Sequence, residues 1–184
     1  MIRPQAYYIY ENGPLEELAE TVLLKAPPLS TASTHADDQV NQRSSQTSFI
    51  TPDHELGNEI FPLLWSYLAD ANAGAEWNFF VNGCEPLQFT KYDVGERYDW
   101  HIDMIWDEPD SRKISFSLLL NDDFEGGDLE FEIGSPGTEE RITTVKMRKG
   151  DIVFFPSYLW HRVTPVTKGE RYSLVGWARG PSFT

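Results

Sequence analysis

The chain has 184 residues, 40% of them hydrophobic and 14% aromatic, with a formal net charge of −14. This length and apolar content suit one folded domain with a sizeable core and exclude a disordered chain, while the acidic balance disfavours binding to a phosphate backbone. Cys84 is the only cysteine, so an intrachain disulfide is excluded, and neither Met1–Tyr10 nor any later stretch is apolar enough for a leader or a membrane span. A cytoplasmic protein without membrane partners is expected, with Cys84 as a strand-edge packing residue.

In chain order, Pro14 to Ala26 reads as a helix. Proline opens it, Glu16 and Glu17 sit in the first turn, and Pro27-Pro28 stops it. Leu29 to Ser48 is rich in Ser, Thr, Asn and Gln and is expected to be a long loop, a candidate lid, leading into a short strand at Phe49-Ile50. Pro52 to Asn72 carries Leu56, Ile60, Leu63, Leu64, Tyr67 and Leu68 at helical spacing and ends near Gly74.

From Leu87 the apolar period changes to two. Eight strands are predicted: Leu87–Asp93, Tyr98–Asp103, Ile114–Leu120, Asp128–Ile133, Arg141–Met147, Ile152–Phe155, His161–Val166 and Arg171–Ala178. Gly126-Gly127, Gly134 to Gly137 and Lys149-Gly150 punctuate them as turns. The expected fold class is mainly β with flanking helices, a double-stranded β-helix of the jelly-roll or cupin kind. It forms a single domain over 1–184, with 1–86 as helical support and loop and 87–178 as the β core.

Of the four histidines, His35 falls in the polar loop and His54 opens the second helix. His101 differs, because in a strand it shares a face with Asp103 while Ile102 points into packing. With His161 it makes two imidazoles and one carboxylate, which leave three positions of a metal open, the pattern of non-heme Fe(II) oxygenases. Thr167-Lys168-Gly169 reads as a three-residue hairpin loop, which pairs Val166 with Glu170, Pro165 with Arg171 and His161 with Val175. Arg171 and Ser173 then point inward with His161, about 13 Å along the strand at ~3.3 Å per residue. There Arg171 offers a guanidinium fork to a carboxylate-bearing cosubstrate.

Four longer stretches go with these residues. Tyr92, Gly95, Tyr98, His101 and Asp103 form a Y-x-x-G-x-x-Y-x-x-H-x-D run. Gly126-Gly127-Asp128-Leu129 is a G-G-x-L strand start, and Gly150-Asp151 to Phe155 is a G-D-x-x-x-F run before His161. Asn41-Gln42-Arg43-Ser44-Ser45 is an arginine–serine stretch. Over Leu87–Ala178 the chain resembles the Fe(II)/2-oxoglutarate-dependent dioxygenases, in their prolyl 4-hydroxylase-like branch.

The resemblance implies an enzyme with Fe(II) on the catalytic residues His101, Asp103 and His161, 2-oxoglutarate as cosubstrate, and dioxygen, and it leaves ascorbate open. It puts the distal carboxylate of 2-oxoglutarate on Arg171 and Ser173, and the hydroxyl of Tyr92 on the keto-acid end. Asp103 favours hydroxylation over halogenation. The substrate implied is a small molecule, peptide or protein, oxidised at a prolyl or other amino-acid side chain. Nucleic acid is not expected, since no second arginine follows Arg171 within Tyr172–Trp177. Some members carry a tyrosine where this chain has Leu119. Trp100, Met104 and Trp106 are candidates for the substrate wall. The alternative is a cupin-like module that binds metal or ligand without turnover.

Overall fold

Strands whose apolar residues fall on alternate positions have one face to bury, and here that face is turned toward the helices. The computed structural model describes residues 4–32, 43–104, 109–135 and 138–182. In chain order these form β1 (Tyr8–Tyr10), α1 (Glu16–Lys25), β2 (Ser30–Thr31), β3 (Arg43–Ser44), β4 (Gln46–Ile50), α2 (Glu55–Gly74), β5 (Gly83–Cys84), β6 (Leu87–Tyr92) and β7 (Arg97–His101). There follow β8 (Asp110–Leu119), β9 (Glu125–Gly126), β10 (Leu129–Glu132), β11 (Ile142–Val145), β12 (Ile152–Pro156), β13 (His161–Val163), β14 (Val166–Lys168) and β15 (Arg171–Pro181).

All pairings are antiparallel. The major sheet runs β1-β12-β8-β15-β6-β4-β2, with β5 on the end of β15, and the minor sheet runs β11-β10-β13-β7-β3. A third pair, β14 with β9, closes one end. This is the mainly β architecture expected of a double-stranded β-helix, with both helices on one outer face.

Two apolar clusters separate the layers. On the outer face of the major sheet, Leu87, Phe89, Ile114, Phe116, Leu118, Ile152, Phe154 and Leu174 pack with Ala19 and Val22 of α1 and with Leu56, Ile60, Leu64 and Leu68 of α2. The alternate residues face the minor sheet. There Val153 and Phe155 join Leu129, Phe131, Val145 and Val163. Along β6, β8 and β15 that inner face is instead polar and buried, with Gln88, Thr90, Ser115, Ser117, Arg171 and Ser173 all below a tenth exposed. Burying polar groups between two sheets is costly unless each finds a partner, so their presence here marks a site.

Several sequence expectations change. The stretch 29–48 is not simply a loop. Residues 30–31, 43–44 and 46–48 pair as strands, and 33–42, with His35, lie outside the described residues. The predicted strand His161–Val166 is two strands in different sheets. The expected hairpin pairing of His161 with Val175 is absent: β13 pairs with β7 and β10, β15 with β6 and β8. Gly126 and Gly127 let β9 take up β14 instead, and the chain crosses from one sheet to the other between Val163 and Arg171.

Candidate metal centre

β7 ends at His101, and Asp103 follows it outside the strand, held by its amide donating to the Ser157 carbonyl at 2.9 Å. β13 pairs His161 directly with His101, so both imidazoles come from adjacent strands of the minor sheet. The rings lie 4.1 Å apart, centre to centre, at 53°. Nε2 of His101 is 3.7 Å from Oδ1 of Asp103, and Nε2 of His161 is 3.5 Å from its Oδ2. One donor atom from each residue lies within 4.8 Å of the others, a grouping that could hold a metal ion.

The other ring nitrogens are tied behind the site. His101 Nδ1 meets the Asp99 carbonyl at 2.7 Å and His161 Nδ1 meets that of Leu159 at 2.9 Å. Each Nδ1 must therefore carry the proton, leaving the Nε2 lone pair for a metal. Burial, with His161 beside it, pushes the His101 imidazole well below its ordinary pKa and keeps it neutral. Burial alone would raise the Asp103 carboxyl. His161, His101 and the Ser115 hydroxyl outweigh it and hold the group ionised. Ser115 donates to Asp103 Oδ2 at 2.7 Å, and the Ser157 hydroxyl lies 2.9 Å from that of Ser115. Tyr98 stacks on His101 at 3.5 Å, and Phe155 meets His161 edge-on at 4.7 Å.

The triad lines a cavity of about 260 Å³ whose walls include Arg171, Ser173 and Tyr92. Arg171 is opposite Tyr92 in the β15–β6 ladder, and its guanidinium lies 5.7 Å from that ring. It is 2% exposed, donates to the Ser173 hydroxyl at 3.1 Å, and has its Nε buried with no partner. Burial lowers its pKa, and among the described residues it makes no ion pair with a carboxylate. A guanidinium so placed fits a carboxylate-bearing ligand. Gly127 makes room for it: φ is +60°, and a Cβ there would lie 2.8 Å from Arg171 Cδ.

The pattern of this cavity is that of a known family. The family model for the 2OG-Fe(II) oxygenase superfamily matches residues 87–179, just over half of the chain. The chain belongs to the 2OG-Fe(II) oxygenase superfamily. Among its relatives is a PKHD-type hydroxylase of Synechococcus sp. (strain CC9605), 37% identical over 99 residues, which are 53% of this chain and 43% of the relative. A PKHD-type hydroxylase of Synechococcus sp. (strain CC9311) is 31% identical over 181 residues, 92% of this chain and 74% of that one. The match thus spans less than half the length of the first relative. A prolyl-4-hydroxylase from Pseudomonas putida shares the fold, with a TM-score of 0.74 at 23% identity over 95% of this chain and 92% of that one.

For this member of the superfamily, the structure brings His101, Asp103, His161, Arg171, Ser173 and Tyr92 into one cavity, all six read from sequence. Arg171 and Ser173 face inward across the sandwich, from the sheet opposite His161. Of the predicted substrate wall, Trp100 and Met104 are corrected. Trp106 lies outside the described residues, and neither Trp100 nor Met104 lines the cavity. Trp100 takes the Arg162 guanidinium at 4.7 Å, and Phe49, Tyr98, Arg112 and Trp177 line the cavity instead. Leu119 lies opposite Ser173 in the β15–β8 ladder. Sequence reasoning also missed Ser115 and Ser157, which no local spacing marks. Cys84 is half-buried against β15, and burial pushes its thiol up to about 12, as suits a packing residue. His54 caps α2, its Nδ1 accepting from the Leu56 amide at 3.2 Å.

Proposed function

We propose that this chain is a non-heme Fe(II)- and 2-oxoglutarate-dependent dioxygenase that hydroxylates an unactivated C–H bond, on a prolyl or other amino-acid side chain in a protein, a peptide or a free amino acid. The observation that carries the reading is one small cavity holding a His–Asp–His donor set and, on the opposite sheet, a buried guanidinium without a carboxylate partner. When bound, iron and its cosubstrate supply the oxidising chemistry.

The chain's own residues hold and orient. His101 Nε2, His161 Nε2 and Asp103 would take the ion, with Asp99, Leu159 and Ser115 fixing them from behind. Arg171 and Ser173 would take the distal carboxylate of 2-oxoglutarate, and Tyr92 its keto-acid end. Leu129, Phe155, Val163 and Val175 exclude water from the space between. Asp103, a carboxylate where a halide would need room, supports hydroxylation. The net charge of −14 speaks against a nucleic-acid substrate. A single cysteine fits the cytoplasm, and no helix among the described residues is long and apolar enough to cross a membrane.

The test is an anaerobic titration of Fe(II) and 2-oxoglutarate into the wild type, His161→Ala and Arg171→Ala, following the visible iron-to-keto-acid charge-transfer band. The expected result is a band in the wild type, none in His161→Ala, and a band needing at least tenfold more 2-oxoglutarate in Arg171→Ala. A folded wild type that binds iron without a band refutes the proposal.

A further inference from the structure

We propose that Arg43 is the anion contact of a second subsite in this cavity, so that the substrate carries a carboxylate a few bonds from the carbon it presents to the metal. The inference rests on the oxygenase reading above and narrows its substrate class.

Pairing of β3 with β7 sets Arg43 opposite Tyr98. The guanidinium lies 4.9 Å over the Tyr98 ring, and that ring stacks at 3.5 Å on His101. A group held by Arg43 is therefore one aromatic ring away from a metal ligand. Nε donates to the Ser45 hydroxyl at 2.8 Å, which orients the fork. Nη1 has only a long contact to Gln88 Oε1 at 3.5 Å, and Nη2 is buried with no partner. Among the described residues Arg43 makes no ion pair. A buried donor without an acceptor is costly and rare, and a bound carboxylate satisfies it.

Arg112 shows what a satisfied arginine looks like in the same cavity. Its Nε and Nη2 donate to both oxygens of Glu85, at 2.8 and 2.6 Å, and it covers the Trp177 ring at 4.0 Å.

Charge balance leads to the same place. Of the charged residues that line the cavity, Arg112 is paired with Glu85, Asp103 is assigned to the metal and Arg171 to the cosubstrate, which leaves Arg43 as a cation without a counter-charge. A divalent cation and a dianionic cosubstrate cancel each other. The remaining charge calls for a monoanionic group on the third component, the substrate. A free α-amino acid supplies that group as its own carboxylate. A peptide supplies it as an acidic side chain next to the oxidised residue.

The experiment is calorimetric titration, without oxygen, of protein carrying Mn(II) and 2-oxoglutarate. The probes are L-proline against L-prolinamide, and the blocked peptide acetyl-Glu-Pro-Gly-amide against its Gln counterpart. Wild type is expected to bind the acid of at least one pair tenfold or more tightly than its neutral twin. Preference in the first pair identifies a free amino acid, and in the second an acidic peptide. Arg43→Gln should erase that preference, Arg43→Lys should restore part of it, and 2-oxoglutarate affinity should stay within about twofold in both. Absence of acid preference in both pairs overturns the proposal, and this arm needs no variant to fold. Loss of 2-oxoglutarate affinity in Arg43→Gln also overturns it, by making Arg43 a cosubstrate ligand. A wild type that takes up neither Mn(II) nor 2-oxoglutarate overturns the oxygenase reading and this inference with it.

Discussion

Replacing Arg171 by methionine should make the ligand-free protein more stable and the ligand-bound protein less so. Arg171 is 2% exposed, has no carboxylate partner among the described residues, and leaves Nε unsatisfied. Replacing even a buried ion pair by apolar side chains of similar volume is neutral or stabilising by roughly 1–4 kcal/mol, and a guanidinium without a carboxylate partner bears the desolvation cost with less to offset it. Against this stand the lost bond to the Ser173 hydroxyl, about 1 kcal/mol, and the lost guanidinium contact with the Tyr92 ring, ~0.5–1 kcal/mol. The net gain is about 1 kcal/mol, or roughly 2–4 °C in Tm for a chain of this size. With Mn(II) present throughout, 2-oxoglutarate at a hundred times its wild-type Kd stabilises the wild type by about 2.7 kcal/mol and, bound at least tenfold more weakly, stabilises Arg171→Met by about 1.4 kcal/mol or less. Melting curves recorded with and without 2-oxoglutarate, both with Mn(II), should therefore cross in order. The reasoning fails if the variant melts well below wild type without ligand, or if 2-oxoglutarate raises both melting points equally.

Three further outcomes follow from other contacts. Ser115→Ala removes the donor on Asp103 Oδ2 and should weaken Mn(II) binding about 10- to 100-fold in calorimetry; unchanged affinity would show that the Ser115 hydroxyl does not orient the carboxylate. Gly127→Ala combines a left-handed φ, costing about 1–2 kcal/mol, with a Cβ against Arg171 Cδ, so both Tm and 2-oxoglutarate affinity should fall. The Cys84 thiol is raised from 9.0 to about 12 by burial, so the folded state binds its proton more tightly than the unfolded chain. Its contribution to stability is thus complete below about pH 9 and lost as the pH rises toward 12. Alkylation by iodoacetamide at pH 9 should be at least a hundredfold slower in the native protein than in urea, and equal rates would place the thiol at the surface.

The layer order explains how so polar an interior is tolerated. α1 and α2 cover the apolar face of the major sheet, so its inner face is free to carry Thr90, Ser115, Ser117 and Ser173. Ser115 bridges Asp103 and Ser157, and Nδ1 of His101 and of His161 each reaches a backbone carbonyl two residues away. Arg171 and Arg43 keep unpartnered nitrogens, and these are the positions where ligands are proposed.

Local chemistry was legible in the sequence. Two helices with acidic first turns and apolar stripes, and the period-two strands from Leu87 onward, lie where the structure has them to within a few residues. His101, Asp103, His161 and Arg171 were readable because metal ligation and carboxylate recognition need particular side chains at particular spacings. Pairing was not readable. A hairpin between His161 and Val175 satisfies alternation as well as the true arrangement does, because side-chain parity is the same whether a strand pairs with its neighbour or faces it across a sandwich. Only tertiary structure decided that Arg171 reaches the cavity from the sheet opposite His161. It also decided that Trp100 turns away to Arg162, and that Arg43, over fifty residues before the metal strand's end, stands beside Tyr98. Such contacts depend on the energy of the whole packed chain, which no window of sequence contains.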